Sequence, residues 1–217
     1  MSQINKTDRS TVRRVPSRGI YDRKTIYEIL DEAFVCHVGL VQDGAPVVIP
    51  MVYGRFEDKL LLHGAKSSRL IKSFVSGNPV CVTVTILDAL VLARSAYHHS
   101  MNYRSVVIHG KGQRIENEEE KNQMLNVIAE HIIPGRWDEV RKPIEKELNA
   151  TEVVYLTIDE ATAKMRTGPA VDEKEDYEFP VWAGLLPLEL KSGQPQTDPE
   201  MKMQLDVPDY VTNYRKK

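Results

Sequence analysis

The sequence predicts a mainly β, α+β chain whose strands close into an antiparallel barrel with flanking helices. Three observations predict it. Six or seven short apolar or β-branched runs are spaced along the chain. Turn signals separate them at short intervals. The helical stretches do not alternate one for one with the runs, which argues against a doubly wound parallel sheet.

Taken in order, residues 1–19 are polar and basic and read as a flexible arm, disordered or loosely docked. Asp22 is a candidate N-cap for a helix from about Lys24 to Glu32, with Ile26, Ile29, Leu30 and Ala33 on one face. Phe34 to Val41 is the first strand. Gln42-Asp43-Gly44 is a hairpin signal, because Asp-Gly tolerates the positive φ of a tight turn. The partner strand runs from Val47 to Phe56, and Pro50 within it predicts an edge or a bulge. Glu57-Asp58-Lys59 turns the chain into Leu60–His63. A polar loop, Gly64 to Arg69, then opens onto a helix carrying Leu70, Ile71, Phe74 and Val75, stopped by Gly77-Asn78-Pro79.

Val80 to Leu87 is almost continuously apolar or β-branched and reads as a central strand, with Leu90 to Ala93 as a short continuation. Tyr97 to Arg104 is polar. Ser105 to Ile115 resumes as a strand, with Gly110 and Gly112 marking bulges or barrel corners. Asn117 caps a helix from Glu118 to His131, whose three leading glutamates complement the helix dipole. A second helical stretch, about Asp138 to Leu148, is broken by Pro143. Glu152–Asp159 and Ala161–Arg166 are the last strands. Phe179 to Leu190 is apolar and punctuated by proline, and the chain from Lys191 is polar, with Val207 to Tyr214 a candidate docking segment.

At 217 residues and 41% apolar content, the chain is sized for one domain with a real core. A net charge of −2 offers no broad basic field for nucleic acid or anionic membrane. Arg13-Arg14 and Arg215-Lys216-Lys217 read as terminal tails. No secretory apolar region follows Met1, and no run nears the roughly 20 residues of a membrane span. The expectation is a soluble cytoplasmic protein. Cys36 and Cys81 sit in apolar runs and read as buried thiols, with no C-x-x-C pattern to hold a metal.

The loop from His63 to Lys72 carries the most chemistry. Helix-start N–H groups are unpaired and favour negative charge. Arginine can fork onto a phosphate and lysine adds a point charge. On spacing alone a plain N-cap at Ser67 or Ser68, with Lys66, Arg69 and Lys72 as a solvated face, is the commoner outcome. Neither a Walker A loop nor a G-x-G-x-x-G motif occurs. The adjacent pair His98-His99 points to opposite faces if on a strand and reads as loop histidines. His37 and His109 read as structural.

Four stretches resemble the flavin-binding split-barrel superfamily of pyridoxamine 5′-phosphate oxidase, in its nitroimidazole-resistance-like branch. Val48 to Gly54 is similar to the strand beside the flavin ring, and His63 to Lys72 to the phosphate loop. Tyr103 to Gly110 is similar to the strand that reaches the flavin from the partner subunit. Lys164 to Pro169, followed by Val181 to Leu188, resembles the branch's C-terminal signature.

The resemblance implies a six-stranded split barrel over residues 20–190, with a tail at 191–217, and a homodimer binding FMN at the subunit interface. It turns the reading of the loop from a plain cap to a phosphate seat. It implies phosphate binding by Lys66, Ser67, Ser68, Arg69 and Lys72 with His63 beside them. Pro50, Met51, Val52, Tyr53, Tyr103, Ser105 and Trp182 would line the ring. His63 is also the position at which the branch places a histidine beside the flavin. Pro50-Met51-Val52 stands where the oxidase proper has basic residues, so the resemblance implies flavin binding and leaves pyridoxamine phosphate oxidation open. The expected function is an FMN-dependent oxidoreductase acting on a small molecule, with a nicotinamide nucleotide as donor. A flavin carrier or sensor, or a haem-binding barrel, is the alternative.

Overall fold

The computed structural model describes residues 2–214. In chain order the elements are β1 (Gly19–Ile20), α1 (Arg23–Glu32), β2 (Val35–Gln42), β3 (Ala45–Val52), β4 (Gly54–Phe56), β5 (Lys59–Ala65) and α2 (Arg69–Phe74). Then come β6 (Pro79–Leu92), β7 (Ser100–Lys111), β8 (Gln113–Arg114), α3 (Glu118–Ile132), α4 (Arg136–Glu139) and α5 (Glu145–Ala150). The chain ends with β9 (Thr151–Thr157), β10 (Glu160–Arg166), β11 (Gly184–Pro187) and α6 (Asp209–Thr212).

The strands form an antiparallel split barrel of two sheets. One runs β1-β10-β7-β6-β2-β3, with β11 paired to β6; the other runs β4-β5-β9-β8. β6 is central, as its apolar run predicts, and Pro50 lies on the edge strand β3, where a missing N–H costs no ladder bond. The hairpin between β2 and β3 turns at Asp43 (φ 51°) and Gly44 (φ 77°).

Two corners carry the chain from one sheet to the other. The run read as one strand, Val47 to Phe56, divides at Tyr53. That side chain is fully buried, and its hydroxyl donates to the Leu30 carbonyl at 2.6 Å. The run read as Ser105–Ile115 divides at Gly112, where an added Cβ would lie 2.3 Å from the Phe74 carbonyl oxygen. Leu60 and Leu62 of β5 fill the barrel interior, while Leu61 on the opposite face packs with Met124 and Ile128 of α3.

The three helix caps hold. The Asp22 carboxylate accepts from Thr25 N at 2.9 Å, the Asn117 amide oxygen from Glu120 N at 2.9 Å, and the Ser68 hydroxyl from Ile71 N at 3.5 Å. Other boundaries move. β6 runs on to Leu92 through a register shift between Leu87 and Ala89, because its pairing with β7 resumes beyond Asp88. β7 starts at Ser100, so most of the polar stretch is strand: pairing with β6 overrides local propensity. The stretch around Pro143 is two short helices rather than one broken helix.

The N-terminal arm is docked. Ile4 is buried, and its N–H donates to Tyr21 O at 2.9 Å. Arg9 pairs with Glu160, and Thr162 Oγ1 donates to Ser10 O. At the other end, the Tyr214 hydroxyl donates to Ile132 O at 2.6 Å, and Arg136 donates to the Tyr210 hydroxyl at 2.9 Å. Arg215 to Lys217 lie outside the described residues. No helix among the described residues is long and apolar enough to cross a membrane.

Candidate functional site

The outward face of the larger sheet is built by pairing register. Across β2 and β3, Val35 faces Val52, His37 faces Pro50 and Gly39 faces Val48. Across β6 and β7, Leu87 faces Tyr103 and Thr85 faces Ser105. Residues directly opposite in an antiparallel pair share a face, so these side chains form one surface of apolar and small polar groups. Val48 (65% exposed) and Val41 (61%) show how open it is.

Among the residues expected to line a ring, Pro50 and Val52 lie on this face. Met51 and Tyr53 do not. Met51 packs inward against the core, and Tyr53 is fully buried with its ring 5.0 Å from that of His131. The two-residue period of the strand turns alternate side chains inside, so these two offer only backbone. Tyr103 and Ser105 share the outward face, half-exposed, and the Ser105 hydroxyl donates to Lys164 O at 3.1 Å. Trp182 is 68% exposed, its ring edge against Gly184.

The polar loop behaves as its residues dictate. It closes tightly on α2: a Cβ at Gly64 would meet Ile71 Cγ1 at 2.9 Å. Lys66 N donates to Ala150 O at 2.9 Å and Ser68 N to Ala65 O at 2.8 Å. Lys66 Nζ is 3.8 Å from the buried Glu152 carboxylate, which Arg114 also approaches at 3.2 Å. Ser67, Arg69 and Lys72 are exposed. Among the described residues neither Arg69 nor Lys72 pairs with a carboxylate.

His63 departs from expectation. It shares the α3-facing side of β5 with Leu61, and it lines an apolar cavity of about 460 Å³ with Leu125, Ile128, Trp137 and Leu148. Its Nδ1 is buried with no hydrogen-bond partner, and burial lowers its pKa. The sequence marks His63 as a candidate but gives no sign of this cavity, which α3, α4 and α5 close from a distance.

The loop and the Tyr103 strand do not meet within one chain. α2 leads into Pro79, which pairs with Lys111 at the far end of β7. Tyr103 lies eight residues from Lys111, roughly 26 Å at about 3.3 Å per residue.

Sequence reasoning also missed a basic pocket. Arg14, Arg18, His98, His99, Lys164 and Arg166 line a cavity of about 490 Å³. Arg13-Arg14 reads as a tail because nothing local places residue 14 beside residue 166.

A family model described as pyridoxamine 5′-phosphate oxidase matches residues 22–165. The flavocytochrome Anf3 from Azotobacter vinelandii is 38% identical, covers 96% of this chain and 97% of its own, and superposes with a TM-score of 0.91. An FAD and heme binding protein from Mycobacterium smegmatis is 34% identical over 90% of this chain and 96% of its own, with a TM-score of 0.86. A candidate 5-nitroimidazole antibiotic resistance protein from Bacteroides thetaiotaomicron is 28% identical over 67% of this chain and 85% of its own, with a TM-score of 0.57. A search of curated proteins finds no match. With two thirds of its length matched and its split barrel shared throughout, the chain belongs to the pyridoxamine 5′-phosphate oxidase family.

Proposed function

We propose that this protein is a flavin-dependent oxidoreductase that binds the FMN group, alone or as part of FAD, between two copies of the chain. The observation that carries the reading is the loop from Lys66 to Lys72. It gathers hydroxyls and cations at a strand-to-helix junction within the family-matched stretch, and among the described residues Arg69 and Lys72 pair with no carboxylate. A phosphate dianion needs concentrated donors of this kind. Ser67, Ser68, Arg69 and Lys72 would hold it.

The ring would lie along β3, whose outer edge is an unpaired row of backbone groups. Pro50 and Val52 supply an apolar wall. Tyr103 and Ser105, too far from the loop in the same chain, would come from the partner copy. The exposed apolar side chains Val41 and Val48 on the β2–β3 pair, and separately Phe179 and Trp182 ahead of β11, support such a dimer. A bound flavin supplies hydride and single-electron transfer, while this chain positions it and excludes water. A reduced nicotinamide nucleotide is the proposed donor, a small electrophile the acceptor, and the reducing cytoplasm the setting for two free thiols.

The test is to heat-release the chromophore, identify it by mass, and compare wild type with Ser68→Ala/Arg69→Ala. The double variant is expected folded and colourless; a yellow variant at full occupancy refutes the loop. NADPH oxidation with quinones and nitro compounds separates an enzyme from a carrier that binds without turnover.

A second reading is favoured by one observation. The His63 imidazole, whose pKa burial lowers, lines an apolar cavity and has a buried, unpartnered Nδ1, and neutral imidazole is the ligand form for iron. Two relatives are described as a flavocytochrome and as an FAD and heme binding protein. On this reading His63 would hold a haem iron, and Trp137 and Ile132 would line its pocket. Titration with hemin, followed at the Soret band, should saturate for wild type and fail for His63→Leu. Equal binding by both refutes it.

A further inference from the structure

We propose that the pocket of Arg14, Arg18, Lys164 and Arg166 binds the diphosphate of an adenine dinucleotide. Its electrostatics carry the argument. Arg166 is 8% exposed, and its guanidinium donates only to neutral oxygens: Asn102 Oδ1 at 2.5 Å, Gly168 O at 3.2 Å and Pro169 O at 3.1 Å. Among the described residues no carboxylate pairs with Arg14, Arg18, Lys164 or Arg166. Of the two acidic residues nearby, Asp172 is committed away from the cavity and Glu173 engages the lining residue His98. Asp172 is buried on Arg94 and on the backbone N–H groups of Arg94 and Ser95. Glu173, at the rim, lies 3.6 Å from His98.

Four like charges around one cavity repel each other, and a bound polyanion relieves that repulsion. Burial and the neighbouring Arg18 both act to lower the pKa of Arg166, the direction expected of a cation waiting for an anion. Backbone strain borders the same cavity: Val15, β-branched, sits at φ 56° in the left-handed region.

The size and shape select the ligand class. A volume of about 490 Å³ exceeds the need of a single phosphate. Arginine forks match phosphate oxygens in pairs. Tyr97, 90% exposed at the mouth, offers a free face for a base, its ring 5.1 Å from that of His98. A nicotinamide dinucleotide arriving as donor carries this diphosphate; a flavin dinucleotide does not fit here, because its inner phosphate is the one assigned to the Lys66–Lys72 loop at the other end of β7. The pocket lies at the Tyr103 end of β7, away from the Lys66–Lys72 loop, so the inference stands without the flavin reading.

The experiment titrates full-length protein with ADP, NADPH and inorganic phosphate by calorimetry. It compares wild type with Arg14→Ala/Arg18→Ala and, separately, Lys164→Gln, with circular dichroism to verify folding. ADP should bind wild type and bind the double variant about 10- to 100-fold more weakly, the loss shrinking with salt. NADPH should bind while the flavin is retained. ADP bound only by flavin-stripped protein, with FAD released by heat, overturns the assignment to the donor. Affinities unchanged in both variants, or no nucleotide bound by intact or stripped wild type, overturn the proposal. Flavin retained by Ser68→Ala/Arg69→Ala would sink the loop reading alone.

Discussion

Arg104 on β7 holds Asp88 at the register shift of β6, Nη2 to Oδ1 2.7 Å, and the same guanidinium grips Glu32 at the end of α1. One arginine thus ties an irregular point of the central strand pair to the first helix. The two carboxylates hold the guanidinium well above the usual arginine pKa, Glu32 being the larger cause.

Replacing Arg104 with leucine leaves Glu32 and Asp88 facing each other without a cation. The three side chains are only partly buried, so water screens the loss. We expect a destabilisation of about 1–2 kcal/mol, read as a shift in urea midpoint, and smaller in high salt. Adding Asp88→Asn to the variant should recover part of it.

Gly112→Ala should be more severe. The new methyl would overlap the Phe74 carbonyl, which is backbone and cannot swing away, beside a fully buried ring. A loss of more than about 2 kcal/mol is expected, measured by thermal or urea unfolding. Gly44→Ala is the control: its Cβ meets nothing, and only the positive φ costs.

His63 should make stability depend on pH. Burial depresses its folded pKa below the unfolded value near 6.5, so the unfolded chain binds the proton first. The stability it contributes is complete above the unfolded pKa and is lost as pH falls through the depressed folded value. Urea midpoints at pH 7.5 and at pH 5 should therefore differ more for wild type than for His63→Leu. Equal differences would show that the imidazole is not desolvated.

The thiols should be slow. Burial pushes Cys36 up to about 12 and raises Cys81 as well. At pH 8 a disulfide reagent should label neither quickly in native protein, Cys81 ahead of the fully buried Cys36, and both at once in denaturant.

A charge in the middle of the outward face tests the dimer. Val48→Glu places a carboxylate on the exposed surface of β3 without touching the core. Light scattering should show a dimer for wild type and a monomer for the variant, with flavin lost alongside.

Much of this molecule was legible along the chain. Asp22, Ser68 and Asn117 cap helices because a short polar side chain satisfies helix-start N–H groups wherever it falls. Asp43-Gly44 turns and Pro50 sits at an edge because φ and the missing donor are properties of those residues alone. The exposed cations of the Lys66–Lys72 loop follow from the same local chemistry. Other features were not legible. Met51 and Tyr53 fall inside because the pleat and the corner, not the motif, set their direction. His63 lines an apolar cavity because helices within residues 118–150 close over it. Arg14 meets Arg166 because β1 pairs with β10, a contact no local pattern encodes. The sequence by itself determined caps, turns, strand periods and family. Only the tertiary structure decided which charges share a pocket and which side chains share a face, because those depend on pairing between segments far apart in the chain.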